Sequence, residues 1–331
     1  MILVTGATGH IGNVLVRELV ARGEQVRIFV LPGEPLDILQ GVELEVVTGN
    51  ILDPEALDRA VCGTDMVYHL AGMISINTGS DPLVWLVNVQ GTRNMIAACR
   101  RAGVRRLVYT SSIHAIQHVD KGVLVDECIP FDPNNNMGEY DRSKAQASLA
   151  VLEAVRGGLD AVIVCPTGVI GPYDHRLSEV GRMLLNAMRA RVQFIINGAY
   201  DFVDVRDVVT GMILAAEQGK TGEVYILSGE EISVERIMRL TQKVTGKHAV
   251  AVRVPLRLAE FAARIAPTFY KITGTRPVVT PYSLQVVTGN STISCAKARR
   301  ELGYQPRPLE QSIADTVRWL QANRHVWRLK N

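Results

Sequence analysis

The fold is decided by Ile2–Leu19, ILVTGATGHIGNVLVREL. An apolar run, Ile2 to Val4, meets Gly6, Gly9 and Gly12, and a helical pattern follows at once. Glycines at these three places do different things. Gly6 permits a tight turn where a Cβ would clash, Gly9 lets the backbone approach a diphosphate, and Gly12 lets the following helix pack closely on a sheet. The helix predicted over 11–22 then offers free N–H groups and the positive end of its dipole to an anion. The plainer alternative is a tight turn that holds no ligand. The strand before it and the helix after it favour a dinucleotide site.

Outward from this turn, β-rich runs alternate with helical patterns through the first half of the chain. The spacing predicts strands over 1–5, 25–31, 42–47, 65–70, 106–111 and 159–165, and helices over 11–22, 54–61, 82–102 and 139–156. Runs that are apolar throughout, such as RLVYTS (106–111) and AVIVC (161–165), belong to strands buried on both faces. An α/β fold with a doubly wound parallel sheet follows. After about residue 166 proline and glycine become frequent and strands sparser, although GEVYILSG (222–229) still reads as a sheet strand. Residues 1–165 are therefore expected to form a dinucleotide-binding domain. Residues 166–331 are expected to be mainly a smaller, mixed α/β substrate-binding region, with segments that return to the first. The stretch PLRLAEFAARIAPTFY (255–270) reads as an ordinary core helix, ahead of a pocket wall.

With 331 residues, 47% of them hydrophobic, the chain can bury a large core, and its net charge of +3 is small for that length. No run of Lys and Arg alternates with exposed aromatics, which argues against a nucleic-acid partner, and the basic tail RHVWRLKN reads as a solvated end. Cys62, Cys99, Cys128, Cys165 and Cys295 lack metal-ligand or redox spacing. They are expected to be reduced, mostly packed thiols of a cytoplasmic protein that holds no metal. Met1 leads straight into an apolar strand, so no signal peptide is expected, and no apolar run reaches the roughly 18 residues of a membrane span.

The end of the second strand ordinarily meets the adenine ribose, through an acid for NAD or a base for NADP. Here QVRIFVLPGEP (25–35) puts Val30 and Leu31 in the informative places, and neither signal is present. Arg27 comes too early and reads as a surface residue. Glu34 and Asp37 in the following loop would repel a phosphate, so the expected cofactor is NAD or NADP with a lean to NAD.

EYDRSKAQ (139–146) sets Tyr140 and Lys144 four residues apart, on one face of a helix. A tyrosine has a pKa near 10, too high for an efficient acid–base at neutral pH, and a neighbouring ammonium lowers it. By itself this spacing is better explained by a surface pair on a helix. LVYTSSIHA (107–115) supplies the context, because it ends a buried strand in Thr110, Ser111 and Ser112, at the sheet edge where ligands of open α/β folds bind. A hydroxyl there can hold a substrate oxygen beside Tyr140, or simply cap the next turn. His114, just beyond, reads equally as a satisfied structural residue and is left unassigned.

Glycine turn, strand-end serine and Tyr/Lys pair together resemble the extended short-chain dehydrogenase/reductase family, and the resemblance runs along nearly the whole chain. TGATGHIG (5–12) is similar to its cofactor turn. GNILD (49–53) is similar to its adenine-contacting G-D-x-x-D, with Asn50 in place of the first Asp. HLAG (69–72), NVQGT (88–92), VDECIPFDP (125–133), CPTGVIGP (165–172), FVDVRDV (202–208) and ARRELGYQPRPLEQSI (298–313) resemble further family motifs in order. The resemblance implies a Rossmann fold, with Tyr140 as acid–base, Lys144 as its partner and ribose anchor, and Ser112 as donor to the substrate oxygen. Gly6, Thr8, Gly9, His10, Ile11 and Gly12 would form the diphosphate turn, with Leu31 beyond the second strand and Asn50 and Ile51 at the adenine. Leu70, Ala71, Gly72, Asn88 and Thr110 would line the cleft, and Pro166, Gly168 and Val169 would press on the nicotinamide. Family habit also implies a homodimer through the helices over 82–102 and 139–156.

Within that family the residues narrow the reaction. Nucleotide-sugar dehydratases carry an acidic pair where this chain has Ile113 and His114. Sugar epimerases place V-Y-G after the serines and an Asn near Gly168, and this chain has neither. The pattern is most similar to the dihydroflavonol-reductase and 3β-hydroxysteroid-dehydrogenase branch. The expected function is NAD(P)-dependent oxidation and reduction of a small, largely apolar ketone or aldehyde and its alcohol. Met73, Ile74, Ile76 and Ile113 are candidates for the pocket. A nucleotide-sugar epimerase with tightly bound NAD is the alternative, and a non-catalytic NAD(P) sensor, a class that tends to lose the Tyr/Lys pair, the second.

Overall fold

The structure, a computed structural model, describes residues 1–75, 81–263 and 280–324. Its strands are β1 (Ile2–Thr5), β2 (Val26–Val30), β3 (Glu45–Thr48), β4 (Met66–His69), β5 (Arg106–Thr110), β6 (Ala161–Pro166), β7 (Gly168–Ile170), β8 (Val192–Ile195), β9 (Ala199–Asp204), β10 (Val224–Leu227), β11 (Glu230–Ser233) and β12 (Val250–Arg253). Seven of them form one sheet in the order β10-β6-β5-β4-β1-β2-β3, with every pairing parallel. The strand order reverses beside β1, so the glycine turn that follows β1 opens at the topological switch point.

Side chains along these strands alternate between two cores. Val67, Leu107, Tyr109 and Ile163 face one, with Leu57 of α2 (Pro54–Val61), Met95 of α4 (Gly91–Ala102) and Val151 of α5 (Glu139–Arg156). Tyr68, Val108, Val162 and Val164 face the other, with Leu15 of α1 (His10–Ala21) and Met212 of α7 (Val205–Gln218). The two-residue period of a strand buried on both faces thus explains the uninterrupted apolar runs. β10 pairs with β6, so the chain returns to the main sheet at 224–227.

Several elements differ from the sequence reading. β3 starts at Glu45, because the turn after Asp37–Leu39 runs through Val42. The helix expected over 82–102 is divided into α3 (Pro82–Trp85), a π-helical turn Leu86–Gln90 and α4. Arg27 is not a surface residue. Its guanidinium donates to the Ala60 and Cys62 carbonyls at 2.8 and 2.6 Å and pairs with Glu45, which closes the C-terminal end of α2. The described part of 255–270 is a surface helix over 256–263 rather than a core helix. Ala259 and Ala263 are its buried apolar residues, and Leu256, Leu258 and Phe261 stand exposed. Ile76 and most of the basic tail lie outside the described residues.

The smaller region adds β7-β9-β11 and the parallel pair β8-β12, with α6 (Glu179–Arg189) and α8 (Val234–Thr245). Cys99, Cys165 and Cys295 are buried, Cys62 and Cys128 are exposed, and all five are free thiols. Among the described residues no helix is long and apolar enough to cross a membrane, and no group of His, Cys, Asp and Glu is arranged to hold a metal.

Candidate active site

α5 begins directly after Gly138 and carries Tyr140, Ser143, Lys144 and Ser148 on its buried face. Hydroxyls fasten that face to the end of β5. Ser148 Oγ donates to the Lys144 carbonyl at 2.8 Å and shares a 2.6 Å bond with Ser111 Oγ. Lys144 Nζ donates to the Thr110 carbonyl at 2.8 Å and lies 5.1 Å from the centre of the Tyr109 ring. Ser112, buried at the strand end, accepts the His114 N–H at 3.2 Å and lies against the Tyr140 hydroxyl. It therefore caps its own turn and also faces the phenol.

Asn88 sits in the π-helical turn, a type of irregularity that often marks a functional position. Its amide donates to Ser143 Oγ at 2.9 Å and to the Met73 carbonyl at 3.0 Å, while its carbonyl accepts the Met73 N–H at 2.8 Å. One side chain thereby ties the 70–73 loop to α5. The fit is close, since a Cβ on Gly72 would stand 3.0 Å from Asn88 Oδ1 and 3.4 Å from Lys144 Nζ.

Burial dominates the electrostatics of this face. It pushes the Lys144 ammonium down to about 8. It pushes the Tyr140 phenol up to about 12, against the Ser112 hydroxyl, which favours the phenolate, and with the negative charge of Asp141, which disfavours it. The acidification expected from Lys144 does not appear: besides burial, the groups that act on the phenol are Ser112, Asp141 and Cys165. Tyr140 is a protonated phenol at neutral pH, and most of the Lys144 population keeps its charge.

His114 belongs to a cluster that spacing does not reveal. It stacks on Tyr200 with ring centres 5.9 Å apart, and its Nε2 shares a 3.0 Å bond with the Tyr200 hydroxyl. Asp141, fully buried, accepts the Tyr282 hydroxyl at 2.9 Å, and its other oxygen lies 3.7 Å from His114 Nδ1 and from His118 Nε2. Burial holds the His114 imidazole below its ordinary value in spite of Asp141. Beyond Ser112 this cluster borders a cavity of about 60 Å³ lined by Ile113, Ile116, Val125, Met137, Tyr200 and Ile293 among others.

The glycine turn has the form a dinucleotide diphosphate requires. Gly6 is in the left-handed region at φ 69°, and a Cβ there would stand 2.8 Å from the backbone of Leu70 and Ala71. A Cβ on Gly12 would stand 2.1 Å from the Gly6 carbonyl oxygen. No side chain caps α1, whose first N–H groups are therefore presented at the turn. Of the other residues expected here, His10 reaches away to the Pro172 carbonyl at 2.9 Å, and Asn50 accepts the Leu52 N–H at 2.9 Å. The Ile51 side chain is packed against Gly91, Leu31 is exposed, and the Thr110 hydroxyl is buried without a hydrogen-bond partner. Gly168 begins β7, where a Cβ would stand 2.7 Å from the Phe202 ring, so the asparagine of sugar epimerases has no room there. The sequence reading missed Asp141, Ser143, Tyr200 and Tyr282, and took Glu34 only as a repelling charge.

Residues 2–228 match the model of the NAD dependent epimerase/dehydratase family. The chain belongs to that family. As an extended short-chain dehydrogenase/reductase it is an NAD-dependent enzyme. Among its relatives is sterol demethylase protein B of Methylococcus capsulatus, 36% identical over 96% of this chain and 98% of the relative. A putative dihydroflavonol 4-reductase of Synechocystis is 33% identical over 98% of this chain and 95% of the relative. The crystal structure of gox2253 superposes with a TM-score of 0.85 at 32% identity, covering 97% of this chain and 98% of that one.

Proposed function

We propose that this family member interconverts a small, largely apolar ketone and its secondary alcohol, with NAD(H) as redox partner and Tyr140 as acid–base. The observation that carries the reading is the meeting of Ser112, Tyr140 and Lys144 at the C-terminal end of β5, joined through Asn88 to the loop at Gly72. Relatives named for sterol and flavonol chemistry support a ketone or alcohol substrate, and the apolar wall from Ile113 to Ile293 supports an apolar one.

When bound, NAD(H) supplies or accepts the hydride. In reduction, Ser112 Oγ and Tyr140 Oη hold the substrate oxygen, and Tyr140 gives it the phenolic proton. Its raised pKa keeps that proton in place until an alkoxide forms, a far stronger base than phenolate. The Lys144 ammonium, anchored on the Thr110 carbonyl, stabilises the phenolate left behind. In oxidation the phenol first gives up its proton to solvent, and the phenolate then removes the alcohol proton. The backbone of Gly6, Thr8, Gly9, His10, Ile11 and Gly12 would cradle the diphosphate, and Gly72 and Asn88 would flank the nicotinamide side. Residues 166–331 would mainly hold the substrate.

A cytoplasmic homodimer accompanies this reading. Leu83, Trp85 and Leu86 are exposed at the start of the 82–102 segment, where a second copy would cover them. Solution scattering that returns a monomer removes the dimer. The activity is tested by absorbance at 340 nm with a panel of ketones, secondary alcohols and UDP-sugars. Net oxidation or reduction of the cofactor with the ketones or alcohols is expected. Sugar interconversion without net cofactor change, or binding without turnover, would overturn the proposal.

A further inference from the structure

The outer side of the cofactor turn is held by a loop that the proposed chemistry does not use. Residues 172–177 follow β7 and lie along the first turn of α1. His10 bonds the Pro172 carbonyl, and Asn13 Nδ2 donates to the Tyr173 carbonyl at 3.3 Å. Asp174 accepts the backbone N–H and the hydroxyl of Ser178, the N-cap of α6, which closes the loop at its far end. Within it Tyr173 at φ 70° and Leu177 at φ 51° stand in the left-handed region. Residues with side chains adopt that conformation at a cost, and it persists where surrounding contacts over-determine it, commonly at ligand clamps.

The loop delivers Arg176 to the turn. Its Nη2 donates to Thr8 Oγ1 at 2.7 Å and also pairs with Glu34 Oε1. Glu34 in turn accepts the Thr8 hydroxyl, and its second oxygen accepts the Leu31 N–H at 3.1 Å. From three residues downstream, Glu34 thus puts a carboxylate at the strand end where Leu31 supplies no polar group. Burial raises the Glu34 carboxyl, but the bonds from Thr8, Leu31 and Arg176 outweigh it and hold it below the ordinary range, so it is ionised at neutral pH.

We propose that Arg176 and Glu34 form a clasp for the adenosine half of the cofactor, in which Arg176 exchanges the Glu34 carboxylate for the diphosphate and Glu34 takes the ribose hydroxyls. The inference rests on the dinucleotide reading above. A guanidinium already seated on Thr8, between Gly6 and Gly9, can turn to a diphosphate without leaving the loop that positions it. That anion outcompetes one carboxylate, because it carries more charge and more acceptor oxygens in the geometry a guanidinium prefers. The released carboxylate can accept from both ribose hydroxyls, and it repels a phosphate on the 2′ oxygen. The clasp therefore sets affinity through Arg176 and selectivity for NAD over NADP through Glu34.

Calorimetric titration of NAD+, NADP+ and ADP-ribose into the wild type, Arg176→Gln, Arg176→Lys and Glu34→Gln tests this without any turnover. The wild type should bind NAD+ at least about tenfold more tightly than NADP+. Arg176→Gln should weaken NAD+ and ADP-ribose alike by about tenfold, with Arg176→Lys between it and the wild type. Glu34→Gln should narrow the preference for NAD+ by about tenfold, mainly through tighter NADP+. A wild type that prefers NADP+, or an Arg176→Gln protein that loses affinity for NADP+ alone, would show that Arg176 reads a 2′-phosphate and overturn the clasp. Wild-type binding of NAD+ matched by all three variants refutes the clasp alone. A wild type that binds neither dinucleotide refutes the cofactor reading and the clasp with it.

Discussion

The seven-stranded sheet and the β8–β12 pair are made from similar residues and end in opposite surroundings. β6 reads AVIVCP, and every side chain in it is buried. β8 and β12 read VQFI and VAVR, yet Phe194 is 68% and Val250 66% exposed. Apolar β-formers make the strand in both cases, and coverage decides the rest. β6 has strands on both edges and a core on each face, whereas β12 pairs only with β8 among the described residues. The register sets Val250 beside Val192 and Val252 beside Phe194, so the exposed apolar side chains share one face. The proposed chemistry stands at the end of the covered sheet and on the α5 face packed against it, where donors have fixed partners.

That contrast is tested hardest at Tyr140. Tyr140→Phe keeps the ring in its buried place and removes the proposed proton donor. Turnover should fall by roughly 10²–10⁴-fold, the range for loss of a positioned acid–base, with NAD+ affinity within about threefold of wild type. Activity close to wild type would remove the mechanism. The same face predicts a pH limb. Burial disfavours the Lys144 ammonium and brings its pKa down to about 8, so the charge proposed to support the Tyr140 phenolate is present below that pH and lost above it. The kcat for ketone reduction should therefore fall about tenfold between pH 7 and pH 9. A flat profile across that window would separate Lys144 from the proton transfer.

These features were legible because they are local. The glycine turn is a matter of three-residue spacing, directly after a strand whose apolar run announces it, and the Tyr140–Lys144 pair is a matter of four. The contacts that complete the site are not local. Tyr200 lies 86 residues from His114, Tyr282 lies 141 from Asp141, and Arg176 lies 142 from Glu34. Leu31 follows β2 without a polar side chain, while the Glu34 carboxylate reaches it through the backbone N–H. The 255–270 stretch misled in the other direction. Its composition is that of a core helix, but hydrophobic spacing reports which side chains share a face and says nothing about whether another element covers it.

A smaller effect is expected where the covered sheet meets the smaller region. Tyr282 donates to the fully buried Asp141 carboxylate, one residue from Tyr140. Tyr282→Phe keeps the ring and leaves that carboxylate without the bond. Hydrogen bonds to charged groups contribute about 1.5–3 kcal/mol, so chemical denaturation should show a loss of that order. No measurable change in unfolding free energy would mean that His114 and His118, each 3.7 Å from Asp141 Oδ2, satisfy the charge without it.

The smallest effect belongs to the uncovered pair. Phe194→Ser removes a large apolar side chain from the middle of β8, a change that in β6 would leave a cavity and an unpaired hydroxyl inside a core. At Phe194 the ring already meets water over most of its surface, so little transfer free energy is lost and no cavity forms. Serine is a weaker strand former than phenylalanine, but β8 is held to β12 by backbone bonds in parallel register, and Gln193 and Ile195 on the opposite face keep their burial. Unfolding free energy should change by no more than about 0.5 kcal/mol, the usual range for surface substitutions. A loss several times larger would mean that this face is covered in solution, and that the difference between the two sheets lies in what covers them and not in whether anything does.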